Sequence, residues 1–194
     1  MIFQAKPFVE GHVLIRDKRT NEILVDKNNA INPENLSVSI AQTLSNRSMG
    51  FIQSMVFGNG GSVVSGTGAV TYFPPNITGQ SASLYNQTFS KVVNDRSPFN
   101  HTPTADYLSV QHNVGNVFSD IIVTCLLDFN EPAGQEVFDD ATTVDGLYVF
   151  DELGLQSFNP LTGGNLLSHV IFHPIQKSLN RQIEIIYTLR IYMS

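Results

Sequence analysis

From Gln182 onward the residues Ile183, Ile185, Tyr187, Leu189, Ile191 and Met193 are apolar, while Gln182, Glu184, Thr188 and Arg190 put amide, charge or hydroxyl on the other face. That period of two predicts a long strand, and a ladder beside so much apolar surface must be paired inside a sheet. Ser119 to Phe129 alternates in the same way, with Ile121, Val123, Cys125, Leu127 and Phe129 against Asp120, Thr124 and Asp128. His12–Arg16 and Glu22–Asp26 read as a hairpin, joined by the turn-forming run Asp17-Lys18-Arg19-Thr20-Asn21. One helix is expected. Asn32 caps it, Pro33 takes its first position, Glu34 favours its positive end, and Leu36, Ile40, Ala41 and Leu44 recur on one face.

Further strands are expected at Phe51–Phe57, Gln87–Val93, Tyr107–His112, Leu147–Phe158 and Leu166–Phe172, with long polar loops over 94–106 and 130–146. Many strands, turn residues between them and a single short helix indicate a mainly β fold, an antiparallel β-sandwich or barrel. No linker, repeat or second core divides the 194 residues, so one domain is expected over 1–194. Met1–Glu10 reads as an extended arm. Its apolar residues Ile2, Phe3, Phe8 and Val9 are interrupted by Pro7 and do not continue the hairpin's alternation. An arm of this kind gains most by lying across a neighbouring subunit or adding a strand to its edge, so these four residues are the expected assembly interface.

Composition adds a surface to this fold. Only 14% of residues are charged, against ~25% in ordinary soluble domains, which leaves Asn, Ser, Thr, Gln and Gly to cover the outside and suits contact with other proteins. A net charge of −6, with Lys and Arg scattered, argues against a nucleic-acid partner. Cys125 is the only cysteine, which excludes an intrachain disulfide and fits a reducing cytosol. Met1–Pro7 has no apolar leader core, and no apolar run approaches the ~18 residues of a membrane span, so neither secretion nor a membrane partner is expected. The Asn-x-Ser/Thr triplets at Asn46, Asn76, Asn86 and Asn100 are then chance matches in an Asn-rich chain.

The chemistry-bearing residues form no recognisable site. Gly58-Asn59-Gly60-Gly61 and Gly66-Thr67-Gly68 lack both the Lys of a phosphate loop and the third glycine of a dinucleotide fingerprint, and read as turns needing positive φ. His169 and His173 flank a strand that ends at Pro174, too far apart to share a metal, and His12, His101 and His112 are isolated. The acids Asp128, Glu131, Glu136, Asp139, Asp140, Asp145, Asp151 and Glu152 crowd one region without the alternating spacing of a calcium loop. A glycosidase built on them would lack Trp as a sugar platform, and no Gly-x-Ser-x-Gly elbow presents a serine. Cys125 lies on an apolar strand face. The expectation is no catalytic residue, no cofactor and no metal.

The order of segments carries a resemblance. Asn29-Ala30-Ile31 before the helix, Ile52 to Gly61 with its Gly-x-Gly after an apolar strand, Asp151-Glu152-Leu153-Gly154-Leu155, the Gly163-Gly164 turn and Leu166 to Lys177 with its Phe-x-Pro-x-x-Lys run resemble virion structural proteins of tailed bacteriophages. The resemblance covers most of the chain from about Asn29 and leaves out the first hairpin and the acidic loop. It implies a β-rich assembly module without catalysis, a homo-oligomer in the tail, baseplate or neck that meets other virion proteins and is assembled in the host cytoplasm. A carbohydrate-binding module of a phage tail is the alternative, favoured by long polar loops carrying Tyr72, Tyr85, Tyr107 and Tyr148. A small hydrolase using the acidic loop ranks third. Glu152 is expected to orient a strand edge, and Lys177 and Arg181 to answer nearby acids.

Overall fold

The computed structural model describes residues 7–132, 147–161 and 163–193. In chain order the elements are β1 (Pro7–Asp17), β2 (Ile23–Ile31), α1 (Pro33–Leu44), β3 (Ile52–Gly58), β4 (Ser62–Val64), β5 (Val70–Tyr72), β6 (Gln87–Val92), β7 (Tyr107–Gln111), β8 (Phe118–Leu127), β9 (Leu147–Ser157), β10 (Leu166–Ser178) and β11 (Ile183–Met193). Nine strands make one antiparallel sheet in the order β6-β3-β9-β10-β2-β1-β11-β8-β7, and β4 and β5 form a separate small hairpin. The large sheet is curled on itself, which is the mainly β, sandwich-or-barrel class expected from the alternation.

The curl turns on β2. Up to Asn29, opposite Gly11, it pairs with β1, and then Ala30 and Ile31 pair with His169 and Ser168 of β10. One half-sheet therefore carries β1, β11, β8 and β7, the other β10, β9, β3 and β6, and both supply one core. Val13, Ile15, Val123, Cys125, Leu127, Ile183, Ile185 and Tyr187 from the first half are wholly buried. They meet Met55, Phe57, Phe150, Leu153 and Leu155 from the second. Phe150 sits edge-on to Phe57 and Phe172 at 5.5 and 5.7 Å and stacks on Tyr148 at 5.5 Å. Aromatic pairs in these geometries contribute ~0.5–1.5 kcal/mol each beyond their buried area.

The outer face of β11 has its own logic. Glu184 is buried among the even-numbered residues because Arg16 and Lys18 close over it. Burial pushes its carboxyl up, but those two cations outweigh burial and hold it below the usual glutamate range. Arg190 grips Asp120 of the neighbouring strand through two nitrogens, at 2.7 and 2.8 Å.

Several expectations are corrected. Residues 7–10 are not an arm outside the domain: Pro7 to Glu10 pair with Met193 to Arg190 as the first residues of β1. The inward alternation does continue, as Val9, Gly11, Val13 and Ile15, and it is hidden because Gly11 has no side chain. A Cβ at Gly11 would stand 1.7 Å from Oδ1 of Asn29, whose amide instead fills the gap and donates to the buried hydroxyl of Tyr187. Val9 packs against the core and Phe8, 57% exposed, lies 6.1 Å from the Tyr192 ring on the outside. Ile2 and Phe3 lie outside the described residues. β10 does not stop at Pro174 but runs to Ser178, because its pairing with β9 shifts between Ile171 and Ile175 and leaves the proline in the irregular stretch. The β4–β5 hairpin, inside what reads as loop, was not expected.

Candidate functional site

Glu152 is the most enclosed charged residue of the second half-sheet. The inward register of β9 switches from Tyr148 and Phe150 to Leu153 and Leu155, so Asp151 and Glu152 fall at the switch and both serve the opposite, covered face. Glu152 Oε1 accepts from the backbone amides of Gly60 and Asn86 at 3.1 and 2.8 Å. Its Oε2 accepts from the amide of Tyr85 and pairs with His169 Nε2, at 3.0 and 2.9 Å. The other ring nitrogen of His169, Nδ1, accepts from the amide of Asn76 at 2.9 Å, which makes Nε2 the protonated one. Asp151 accepts from the amide of Gly61 at 2.9 Å and from the Ser62 hydroxyl.

Electrostatics follows from this saturation. Burial would raise Glu152, but His169 and the amides of Asn86, Tyr85 and Gly60 hold its carboxyl below the usual range. For Asp151 burial wins over Ser62 and Gly61, and its carboxyl is pushed up. The glycines that lead here are needed for close approach. A Cβ at Gly58 would stand 2.4 Å from the Asn86 carbonyl oxygen and 2.5 Å from Glu152 Oε1, and one at Gly60 2.7 Å from the Asn86 amide nitrogen. Neither has the positive φ expected for this loop, which Gly68 does have. Glu152 thus does not orient a sheet edge; from an interior strand it pins the 59–86 excursion across the sheet. Its partners are all protein groups and its side chain is closed to solvent.

A second polar cluster closes the seam between the outermost strands. Lys91 of β6 reaches across to the carbonyl of Leu126 in β8, to Glu131, and to Asp106 at 3.2 Å. Asp106, itself fully buried, accepts from the amide of Leu126 at 2.8 Å. Lys177 donates to the carbonyls of Asp128 and Ser178 at 2.8 and 2.9 Å rather than to an acid, and burial drops its ammonium to about 8. Arg181 does answer a carboxylate, Asp17, at 2.8 Å.

The third feature is an open mouth where the half-sheets part. A recess of about 920 Å³ lies between α1, the starts of β1 and β3, the end of β11 and the 94–99 loop. Leu36 and Ile40 of α1, Phe51, Leu108, Ile121 and Ile191 line it. At the rim Leu44 is 82%, Phe99 68% and Val110 71% exposed. The helical face expected to carry Leu36, Ile40, Ala41 and Leu44 is not the most buried one; the buried helical residues are Asn35 and Ser39, and Asn35 donates to the Leu166 carbonyl at 2.9 Å and anchors that side. A smaller polar cleft of about 560 Å³ lies where β2 leaves β1, lined by Phe8, Glu10, His12, Asn28, Thr188 and Arg190.

The sequence candidates are scattered among these places. Phe8 borders the polar cleft, and Val9 reaches both cleft and mouth. Asp128 and Glu131 belong to the seam, Asp151 and Glu152 to the pinned excursion, and Glu136, Asp139, Asp140 and Asp145 lie outside the described residues. Among the described residues no group of three or more His, Cys, Asp or Glu side chains is arranged to hold a metal. His169 is buried, whereas His173 is exposed beside the Tyr72 hydroxyl at 3.2 Å. The four tyrosines make no common platform: Tyr148 is in the core, Tyr107 is on β7, and Tyr72 and Tyr85 lie within the 59–86 excursion. The mouth was missed, and the one signal that could have found it is the apolar end of α1 at Leu44, directly before the polar Ser45-Asn46-Arg47-Ser48. No protein-family model, curated protein or solved structure matches the chain.

Proposed function

We propose that this chain is a structural assembly module of a tailed-bacteriophage particle, packed in multiple copies in the tail, baseplate or neck through protein–protein contacts, without catalysis. The mouth is the observation that carries this reading: an apolar recess ringed by exposed Leu44, Phe99 and Val110 is the kind of surface that marks contact with another molecule. The order of segments from Asn29 to the last strand supplies the particle. The saturated Glu152 centre supports a non-catalytic role, since its carboxylate is engaged by four protein donors and closed to substrate. Light scattering and electron microscopy of the purified chain test the reading: ordered multi-copy assemblies are expected, and a chain that stays monomeric at every concentration retires it.

The polar cleft favours a second reading, a carbohydrate-binding module. Phe8 offers an exposed ring beside Glu10, Asn28, Thr188 and Arg190, an apolar platform next to donors and acceptors. Binding on a glycan array, lost in Phe8→Ala, would move this reading ahead of the first.

A further inference from the structure

We infer that the mouth is where a second copy of this chain docks, across a two-fold axis that seats the Phe99 loop of each copy in the recess of the other and sets Asp95 of each against Arg96 of the other. This rests on the assembly reading and names its partner. A two-fold contact requires one surface to hold both halves of every complementary pair. The mouth does so for shape, with a recess of about 920 Å³ and a protruding Phe99 at its own rim. It does so for charge as well. Asp95 and Arg96 are adjacent, exposed and both on the lining. Arg96 uses no side-chain nitrogen on any described residue, and the Asp95 carboxylate meets only the Leu108 amide, at 3.3 Å.

The loop is held ready for this use. Arg96 N donates to Asn94 Oδ1 at 3.0 Å, Phe99 N to Ser97 Oγ at 3.3 Å, and Gln53 Nε2 to the same hydroxyl at 2.9 Å. A loop fixed before contact loses little freedom on binding. An amphipathic small molecule with an acidic head would fit the apolar wall but would meet Asp95 beside Arg96, the one cation that the described residues place on the lining. A self-complementary rim suits a copy of itself better.

The test is charge exchange. In sedimentation-velocity runs on the full chain, Phe99→Asp and Leu44→Asp should abolish pairing. Asp95→Arg and Arg96→Asp should each weaken it by on the order of tenfold or more, because each places like charges opposite in both symmetry-related contacts. Mixing the Asp95→Arg protein with the Arg96→Asp protein should restore pairing as a heterodimer, and the double variant should restore it alone. All four side chains are exposed, so unchanged thermal unfolding at concentrations too low for the wild type to pair is the expected control. Assemblies that persist in every single variant, or a mixture that fails to recover, overturn the mouth contact and leave the assembly reading standing. A wild-type chain that is monomeric throughout overturns both. A small molecule carried through purification, seen as added mass in native mass spectrometry and lost in Leu44→Asp, also overturns the docked copy.

Discussion

Around Glu152 each carboxylate oxygen meets its donors and the side chain is closed to solvent, while at the mouth apolar side chains line a space that none of the described residues fills. Both regions break the simple rule of apolar inside and polar outside, and in opposite senses. The buried carboxylate is tolerated because four hydrogen bonds replace its hydration, so it fixes how one segment crosses the sheet. The exposed apolar rim has no such compensation among the described residues, which is why it is proposed as a surface for association. A polar group in the core and an apolar group on the surface are therefore evidence of different things, and the hydrogen-bond inventory tells them apart.

The contrast is most exposed to refutation at Glu152. Glu152→Ala leaves His169 and three amides without their acceptor and should cost about 3–5 kcal/mol in urea unfolding. A loss below about 1 kcal/mol would mean that water replaces the carboxylate and that the centre is not closed. Ile185→Asp should be of similar or greater severity, since Ile185 is fully buried in β11, whereas Thr188→Asp on the outer face should stay within about 1 kcal/mol. Equal tolerance of both would show that the faces of β11 are misassigned.

Gly58→Ala should come next, at about 1–3 kcal/mol, because its methyl would meet the Asn86 carbonyl and Glu152 together. A smaller effect belongs to acid. Glu152 is held below its ordinary value, so it binds fewer protons folded than unfolded, and its contribution is complete above about pH 4.3 and lost as pH falls toward its depressed folded value. Wild type should lose stability more steeply than Glu152→Gln below that pH; parallel curves would contradict the assignment. Smallest of all, Leu44→Asp and Phe99→Asp should alter unfolding of the monomer, measured below the concentration at which copies pair, by no more than about 0.5 kcal/mol. Larger losses would make the mouth part of the monomer's own core.

Much of the frame was legible in the alternation of β8 and β11, where Ile183 stands between Gln182 and Glu184, Leu189 between Thr188 and Arg190, and Asp120 and Thr124 break the other face of β8. The cap at Asn32 was legible for the same reason, a local one: its side chain accepts from Asn35 three residues away. What escaped depended on partners distant in sequence. Gly11 interrupts an inward run only until Asn29 is seen lying over it, and His169 looks like a polar-face histidine until Glu152 and Asn76 enclose it. Of the proposed site, the apolar face of α1 was legible, but not that Asn35 would turn that face toward an open recess.

Because β1 is paired along its full length with β11, the two strands span nearly the whole sequence interval of the domain. During synthesis the β1–β2 hairpin is available early, yet Val13 and Ile15 stay uncovered until β11 has been made, so most of the chain exists before the first half-sheet can close. Contacts of such long sequence separation delay folding, because loop closure must precede the contacts that reward it. The nascent domain thus carries an unfinished apolar edge while the residues between β1 and β11 are made, and holding that edge away from other chains is a burden that falls on the cell rather than on the folded molecule.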